Sequence, residues 1–198
     1  MASISTPGLS VVFPDRGSVS EDEYLRLTDH TNRLVELVDG RIEELPMPTE
    51  EHQEIILFLV NFLRAFVRPA KLGKAIQAGL RVRLAKAQFR EPDVVFILQA
   101  NFARASNRYW DFADLVMEVV SEDDPNRDYI VKRRVYAAAG ISEYWIVDSR
   151  TQTILVLKLE GDQYVTHCQT AGTGLANSAL LPGFAVETAD VFAAGRSG

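Results

Sequence analysis

Two acids in this chain sit where acids are costly. Pro92-Asp93 leads straight into the apolar run Val94-Val95-Phe96-Ile97. A second run, Leu115-Val116-Met117-Glu118-Val119-Val120, carries Glu118 in its middle. A carboxylate in a core strand is expensive unless something positive compensates it. A divalent cation between two such acids would do so. Metal-assisted phosphodiester hydrolysis needs that arrangement, because charge develops on nonbridging and leaving oxygens that a metal or a fixed cation can stabilise. Mg²⁺ takes oxygen ligands and keeps several waters, so two carboxylates and a backbone carbonyl suffice. The expected ligands are therefore Asp93, Glu118 and the Val119 carbonyl, with Mg²⁺ as the ion and Mn²⁺ as its alternative. Each acid also has a plain structural reading. Asp93 could cap local backbone after a proline, and Glu118 could be a solvent-facing strand residue.

Several elements must hold these residues. Ser20-Glu21-Asp22-Glu23 is a capping box that opens a short helix through Tyr24, Leu25 and Leu27. Residues 33–38 read as a strand, Asp39-Gly40 as a hairpin turn, and 41–45 as the returning strand. Pro46-Met47-Pro48 breaks the chain, and Thr49 caps the next helix. From His52 to Val67 the apolar residues follow three- and four-residue steps, which predicts an amphipathic helix. Residues 74–84 alternate and predict one half-buried strand. Residues 91–98 and 113–120 are continuous apolar strands of the kind covered on both faces. Residues 99–111 read as a polar, mobile loop. A helix is expected over 125–139, ending at Gly140. It is followed by a strand over 143–148, a hairpin over 153–169 with Gly161-Asp162 at its turn, and a last short strand by residue 186. One α/β sheet carrying helices is the simplest solution.

The chain as a whole narrows the field. With 198 residues it can bury one sizeable core. No apolar run reaches the roughly 18 residues that a membrane span needs. Residues 1–15 lack the basic start and apolar core of a secretion signal, so a cytoplasmic protein is expected. A single cysteine, Cys168, rules out an internal disulfide and a cysteine-built zinc cage. The net charge of −6 is awkward for a nucleic-acid partner, since phosphate contacts need Lys and Arg. Two basic stretches could supply a local patch: Arg64 to Arg90, and Arg127 with Lys132, Arg133 and Arg134. His30 and His167 have no partner at metal-ligand spacing. An acid pair for glycoside cleavage is a poor fit, because nothing suggests a cleft rich in exposed aromatics.

Five features occur in a fixed order: Glu36-Leu37-Val38-Asp39-Gly40; His52 at the start of a long helix; Pro92-Asp93; Glu118-Val119-Val120-Ser121; and Asp128, Lys132 and Tyr136 at four-residue steps before Gly140-Ile141-Ser142-Glu143-Tyr144-Trp145-Ile146-Val147-Asp148. Together they resemble the Uma2 family, also called DUF820, of restriction-endonuclease-like proteins, over residues 18–192. The resemblance implies an α/β (α+β) fold of the PD-(D/E)xK nuclease superfamily. That fold is a central mixed β-sheet flanked by helices, here with an added N-terminal β-hairpin and a C-terminal β-hairpin. Residues 1–17 would be a loose arm, 18–192 the single domain and 193–198 a tail. In that superfamily the Asp of the PD motif and the acid of the next strand bind Mg²⁺, and Asp93 and Glu118 occupy those positions. The superfamily's lysine sits two residues after the second acid, where this chain has Val120. A lysine migrated onto the neighbouring helix is a known variation, and Lys132 is the candidate. Glu36 could complete the acidic cluster, with Glu51 as a weaker rival. His52 could contact a substrate phosphate or stand behind the ligands. Tyr144 and Trp145 are expected in the core.

The resemblance thus implies a Mg²⁺-dependent DNA endonuclease without membrane contact, with homodimerisation plausible because double-strand cleavage needs two sites. A rival of another class is a nuclease-fold protein that only binds nucleic acid or a protein partner. Val120 and the acidic net charge favour that rival.

Overall fold

A computed structural model describes residues 18–30 and 33–196. The expected arm, 1–17, and the end of the tail, 197–198, lie outside the described residues. Ser20 Oγ accepts a hydrogen bond from the Glu23 amide at 3.2 Å and opens α1 (Glu21–Thr28). Asp39 and Gly40 both take positive φ, 50° and 77°, as a two-residue hairpin turn requires. They join β1 (Val35–Val38) to β2 (Arg41–Glu44). Thr49 Oγ1 accepts from the His52 amide at 3.2 Å and starts α2 (Glu50–Val67). The apolar face of α2 (Ile55, Ile56, Leu59, Val60, Leu63 and Val67) is buried.

The strand expected over 74–84 is two strands. β3 (Gly73–Gln77) and β4 (Val82–Ala85) are separated at Gly79, whose φ of 95° turns the chain. β4 then pairs with β5 (Gln88–Arg90) across a turn through Ala87 at φ 55°. Pairing of β5 with β1 completes a four-stranded sheet in the order β2-β1-β5-β4. Its own small core includes Val19, Tyr24, Leu25, Val35, Leu37 and Phe89.

β6 (Val94–Leu98), β7 (Leu115–Val119), β8 (Glu143–Asp148), β9 (Thr153–Glu160) and β10 (Gln163–Ala171) join β3 in a central sheet. Its order is β10-β9-β8-β7-β6-β3. Only β7 and β8 run parallel; the other neighbours are antiparallel, so the sheet is mixed. The expected hairpin over 153–169 forms and continues this sheet as its two outer strands. Alternation sorts the strand residues between two layers. Val94, Phe96, Leu115, Met117, Trp145 and Val147 pack against α2. Val95, Ile97, Val116, Tyr144 and Ile146 pack on the other side against Tyr136, Ala137 and Ile141. Tyr144 and Trp145 are fully buried core residues, as expected.

The β7-to-β8 connection carries the helix expected over 125–139. Its first part, Arg127–Lys132, is wound as a π-helix, and α3 (Arg133–Ala138) continues it. The segment 99–111, expected as a mobile loop, instead holds a 3₁₀ turn at Gln99–Arg104 and buries Trp110 at 1% exposure. Asp114 ties its start down by accepting from the Leu98 amide and the Asn101 side chain, both at 2.7 Å. After β10 come β11 (Leu175–Asn177), β12 (Ala185–Glu187) and a helix not expected from the sequence, α4 (Thr188–Ala194). Phe184, Val191 and Phe192 of this closing segment join the core beneath α2. Among the described residues no helix is long and apolar enough to cross a membrane.

Candidate active site

The two strand acids are brought together by register. β6 and β7 run antiparallel with Val94 opposite Met117. Asp93 immediately precedes β6 and Glu118 immediately follows Met117, so both acids lie at the same end of this strand pair. Asp93 is tied to the end of β7, where its Oδ2 accepts the Val119 amide at 2.8 Å. The backbone-capping role weighed for Asp93 is therefore present, and it coexists with a side chain on the cleft wall. Glu118 is not a solvent-facing residue, being 1% exposed.

Lys132 reaches this pair from the neighbouring helix. Its Nζ lies 2.8 Å from Glu118 Oε2 and 3.1 Å from Asp128 Oδ1. Tyr136, a turn further on, donates its hydroxyl to Glu118 Oε1. Both oxygens of Glu118 are therefore held by the same helix. Lys132 and Tyr136 share one face through their four-residue spacing. Asp128 lies in the π-wound turn, a distortion that recurs at functional sites.

His52 approaches from the other side. The cap on Thr49 fixes the first turn of α2 and aims the imidazole at the strand ends. Its Nε2 donates to the Val119 carbonyl at 3.0 Å and lies 3.4 Å from Asp93 Oδ2. Its Nδ1 is buried without a hydrogen-bond partner among the described residues. These groups line one cleft of about 740 Å³, walled also by Glu51, Gln77, Glu91 and Arg127.

The charges are unbalanced. Asp93, Glu118 and Asp128 face one ammonium. Burial pushes the Glu118 carboxyl above its ordinary range, with Asp93 and Asp128 adding to the rise and Lys132 opposing it. Asp128 is raised for the same leading reason, burial. For Lys132, burial acts to lower the pKa, but Glu118, Asp128, Glu36 and Asp93 outweigh it and hold the ammonium charged. Burial likewise lowers His52, yet its contacts to Asp93 and Val119 raise it overall. Three acids sharing one ammonium at a cleft, two of them biased toward protonation by burial, are groups whose ionised forms a divalent cation would favour. The donors present suit one: a carboxylate on Asp93, the Val119 carbonyl and, if released by its helix partners, Glu118. Among the described residues no three His, Cys, Asp or Glu side chains converge into a ready metal cage.

Glu36 is not brought into the cleft. It is fully buried, accepts from Arg90 Nη1 and the Glu91 amide, and faces Glu43 across the hairpin. The Arg90 guanidinium compensates its charge locally. Glu51 does border the cleft. Two residues with no role in the sequence reading stand out. Tyr136 was visible only as a spacing. Glu91 is 8% exposed, and its carboxyl is pushed up to about 7, first by burial and then by Glu36. Its place directly before Pro92-Asp93 was the one available signal.

Comparison with known proteins agrees with this architecture. The sequence model of the Uma2 family, described as "putative restriction endonuclease", matches residues 21–190. No curated protein matches the chain. Among solved structures, a "putative nuclease belonging to DUF820" from Anabaena variabilis ATCC 29413 superposes with a TM-score of 0.73. It shares 19% identity and is matched over 89% of this chain and 99% of its own. That likeness shows the fold.

Proposed function

Because this chain belongs to the Uma2 family, we propose that it is a divalent-metal-dependent endonuclease that hydrolyses phosphodiester bonds in DNA. The observation that carries the reading is the Lys132 ammonium 2.8 Å from Glu118. It supplies a buried cation beside the two strand acids although Val120 stands at the superfamily's usual lysine position. In this reading Asp93, Glu118 and the Val119 carbonyl hold the ion. Mg²⁺ or Mn²⁺, when bound, would polarise the phosphate and acidify a water. Asp93 is oriented for ligation by its bond to the Val119 amide. Lys132 stabilises negative charge on the reacting phosphate or orients the attacking water, and its raised pKa keeps it protonated at neutral pH. A homodimer related by a two-fold axis would supply the two sites that double-strand cleavage needs.

A second reading is a nuclease fold that binds nucleic acid or a protein partner without cutting. What favours it is Glu118, both of whose oxygens are occupied by Lys132 and Tyr136. Plasmid nicking separates the two. The purified chain should nick supercoiled DNA with Mg²⁺ or Mn²⁺ and not with EDTA. Asp93→Asn and Lys132→Met should each lose the activity by about a hundredfold or more, a transition-state loss of about 3 kcal/mol. A folded, metal-supplemented protein inert on every nucleic acid tried would leave the second reading standing.

A further inference from the structure

The two sides of the cleft are not equally ready for a cation. On one side, Glu118 is 1% exposed and gives one oxygen to Lys132 and the other to Tyr136. Binding an ion there means detaching a buried carboxylate from a buried ammonium. On the other side, one imidazole nitrogen lies close to two oxygens. His52 Nε2 is 3.0 Å from the Val119 carbonyl oxygen and 3.4 Å from Asp93 Oδ2. Two ligands at right angles on an ion with bonds of about 2.1 Å are themselves about 3.0 Å apart. These separations are those of adjacent octahedral ligands, within a few tenths of an ångström. The histidine is also placed by its own helix. Thr49 caps α2 on the His52 amide, so the ring is carried by a fixed first turn.

Resting on the metal dependence of the reading above but replacing its Glu118 ligand by His52, the geometry points to a ligand set of His52, Asp93 and the Val119 carbonyl, filled by a first-row transition cation such as Mn²⁺ in preference to Mg²⁺, with Glu118 standing behind it as the positioning residue for Lys132. The preference follows from the donors. An imidazole nitrogen is a softer ligand than any oxygen, and Mg²⁺ favours a shell of oxygens and retained water. The competing account of the same distances is a hydrogen bond from Nε2–H to the carbonyl beside an ion-paired carboxylate. The two accounts differ in whether the ring nitrogen ever meets a metal.

Titration calorimetry with MnCl₂ and MgCl₂, joined to pulsed electron paramagnetic resonance of the Mn²⁺-loaded chain, tests this directly. The wild type should bind Mn²⁺ more tightly than Mg²⁺, and its Mn²⁺ spectrum should show coupling to a ¹⁴N nucleus. His52→Ala should lose that coupling and weaken Mn²⁺ by about tenfold or more. Glu118→Gln should retain both the coupling and Mn²⁺ binding, while Asp93→Asn should lose binding. A wild-type Mn²⁺ spectrum without ¹⁴N coupling overturns the assignment whatever the variants do, since it does not depend on how they fold. If that result comes with binding lost in Asp93→Asn, the metal site stands as an oxygen-only site and His52 is excluded from it. If the wild type binds neither ion, the ligand set and the metal-dependent reading fall together.

Discussion

Lys132 is the residue on which the cleft's electrostatics turn. It sits between Glu118 and Asp128, and all three are buried. Removing one partner of a buried ion pair leaves an uncompensated charge and costs about 3–5 kcal/mol. Lys132→Met should therefore lower stability by about that amount near neutral pH, measured by urea unfolding. The loss should shrink as pH falls and the two acids protonate. A variant as stable as the wild type at pH 8 would mean that Glu118 and Asp128 are not both ionised beside the lysine. Glu91 gives the opposite case. Its folded pKa of about 7 lies above the ordinary 4.5, so the fold prefers the protonated acid. Below pH 4.5 both states are protonated and nothing is lost. Between 4.5 and 7 the unfolded chain releases the proton while the folded one keeps it, so stability falls by about 3 kcal/mol in all and is flat above. Glu91→Gln, which cannot ionise, should accordingly be more stable than the wild type at pH 8 in EDTA, by about 1–3 kcal/mol. The difference should vanish at pH 4. Equal stabilities at both pH values would show that the Glu91 carboxyl is solvated.

At the scale of elements, the C-terminal segment hangs on one carboxylate. Glu143, at the start of β8, accepts from Trp145 Nε1, the Ser178 hydroxyl and the amides of Ala179 and Leu180, at 2.6 to 2.7 Å. Four donors on a fully buried acid make it the pin that holds the turn before β12 against the central sheet. Charge-assisted bonds of this kind are the stronger ones. Glu143→Ala should cost about 3–5 kcal/mol and raise amide exchange first at residues 178–194, read by hydrogen-exchange mass spectrometry. Uniform loosening of the whole sheet would contradict this. The contacts to Ser178, Ala179 and Leu180 were not legible in the sequence, because these partners lie 35 to 37 residues from Glu143 and nothing local marks them. What was legible had local or periodic signals. The Ser20 and Thr49 caps, the Asp39-Gly40 turn, the apolar stripe of α2 and the two apolar strands all came from neighbours within a few positions. Asp93 and Glu118 were visible because a charge in an apolar run is an anomaly. Lys132 was visible through its four-residue step from Asp128. The short β5 was not, since three residues ending in a buried Arg90 show no alternation. The Arg90–Glu36 pair that closes Glu36 off from the cleft spans 54 positions and was equally hidden. The π-wound turn is indistinguishable from ordinary helix in the sequence because its residues carry no distinguishing composition.

For the molecule as a whole, the central difficulty of the proposed function is an acidic protein whose acidic cleft would have to take a polyanion. Glu50, Glu51, Glu54, Glu122 and Asp123 add to the acids already named around the opening. Arg127 answers them with one positive charge, already paired with Asp123 at 3.4 Å. A phosphodiester entering without a cation would meet repulsion from nearly every side. In the proposed enzyme the metal therefore has a part in binding as well as in hydrolysis, since it reverses the sign of the potential at the strand ends. Binding of a labelled DNA duplex, followed by fluorescence anisotropy with Ca²⁺ as a non-cleaving ion, should be weak in EDTA and tighten about tenfold or more when the ion is added. Asp93→Asn should bind equally weakly with and without Ca²⁺. The salt dependence should be shallow, because each neutralised phosphate contributes a slope of only about 0.9 and the cleft offers few cations. Tight binding in EDTA with a steep salt slope would place the DNA on the basic stretch between Arg64 and Arg90 instead. In that case the strand-end cleft would not be where the duplex first docks, and the substrate would have to reach the acids from a surface that already holds it.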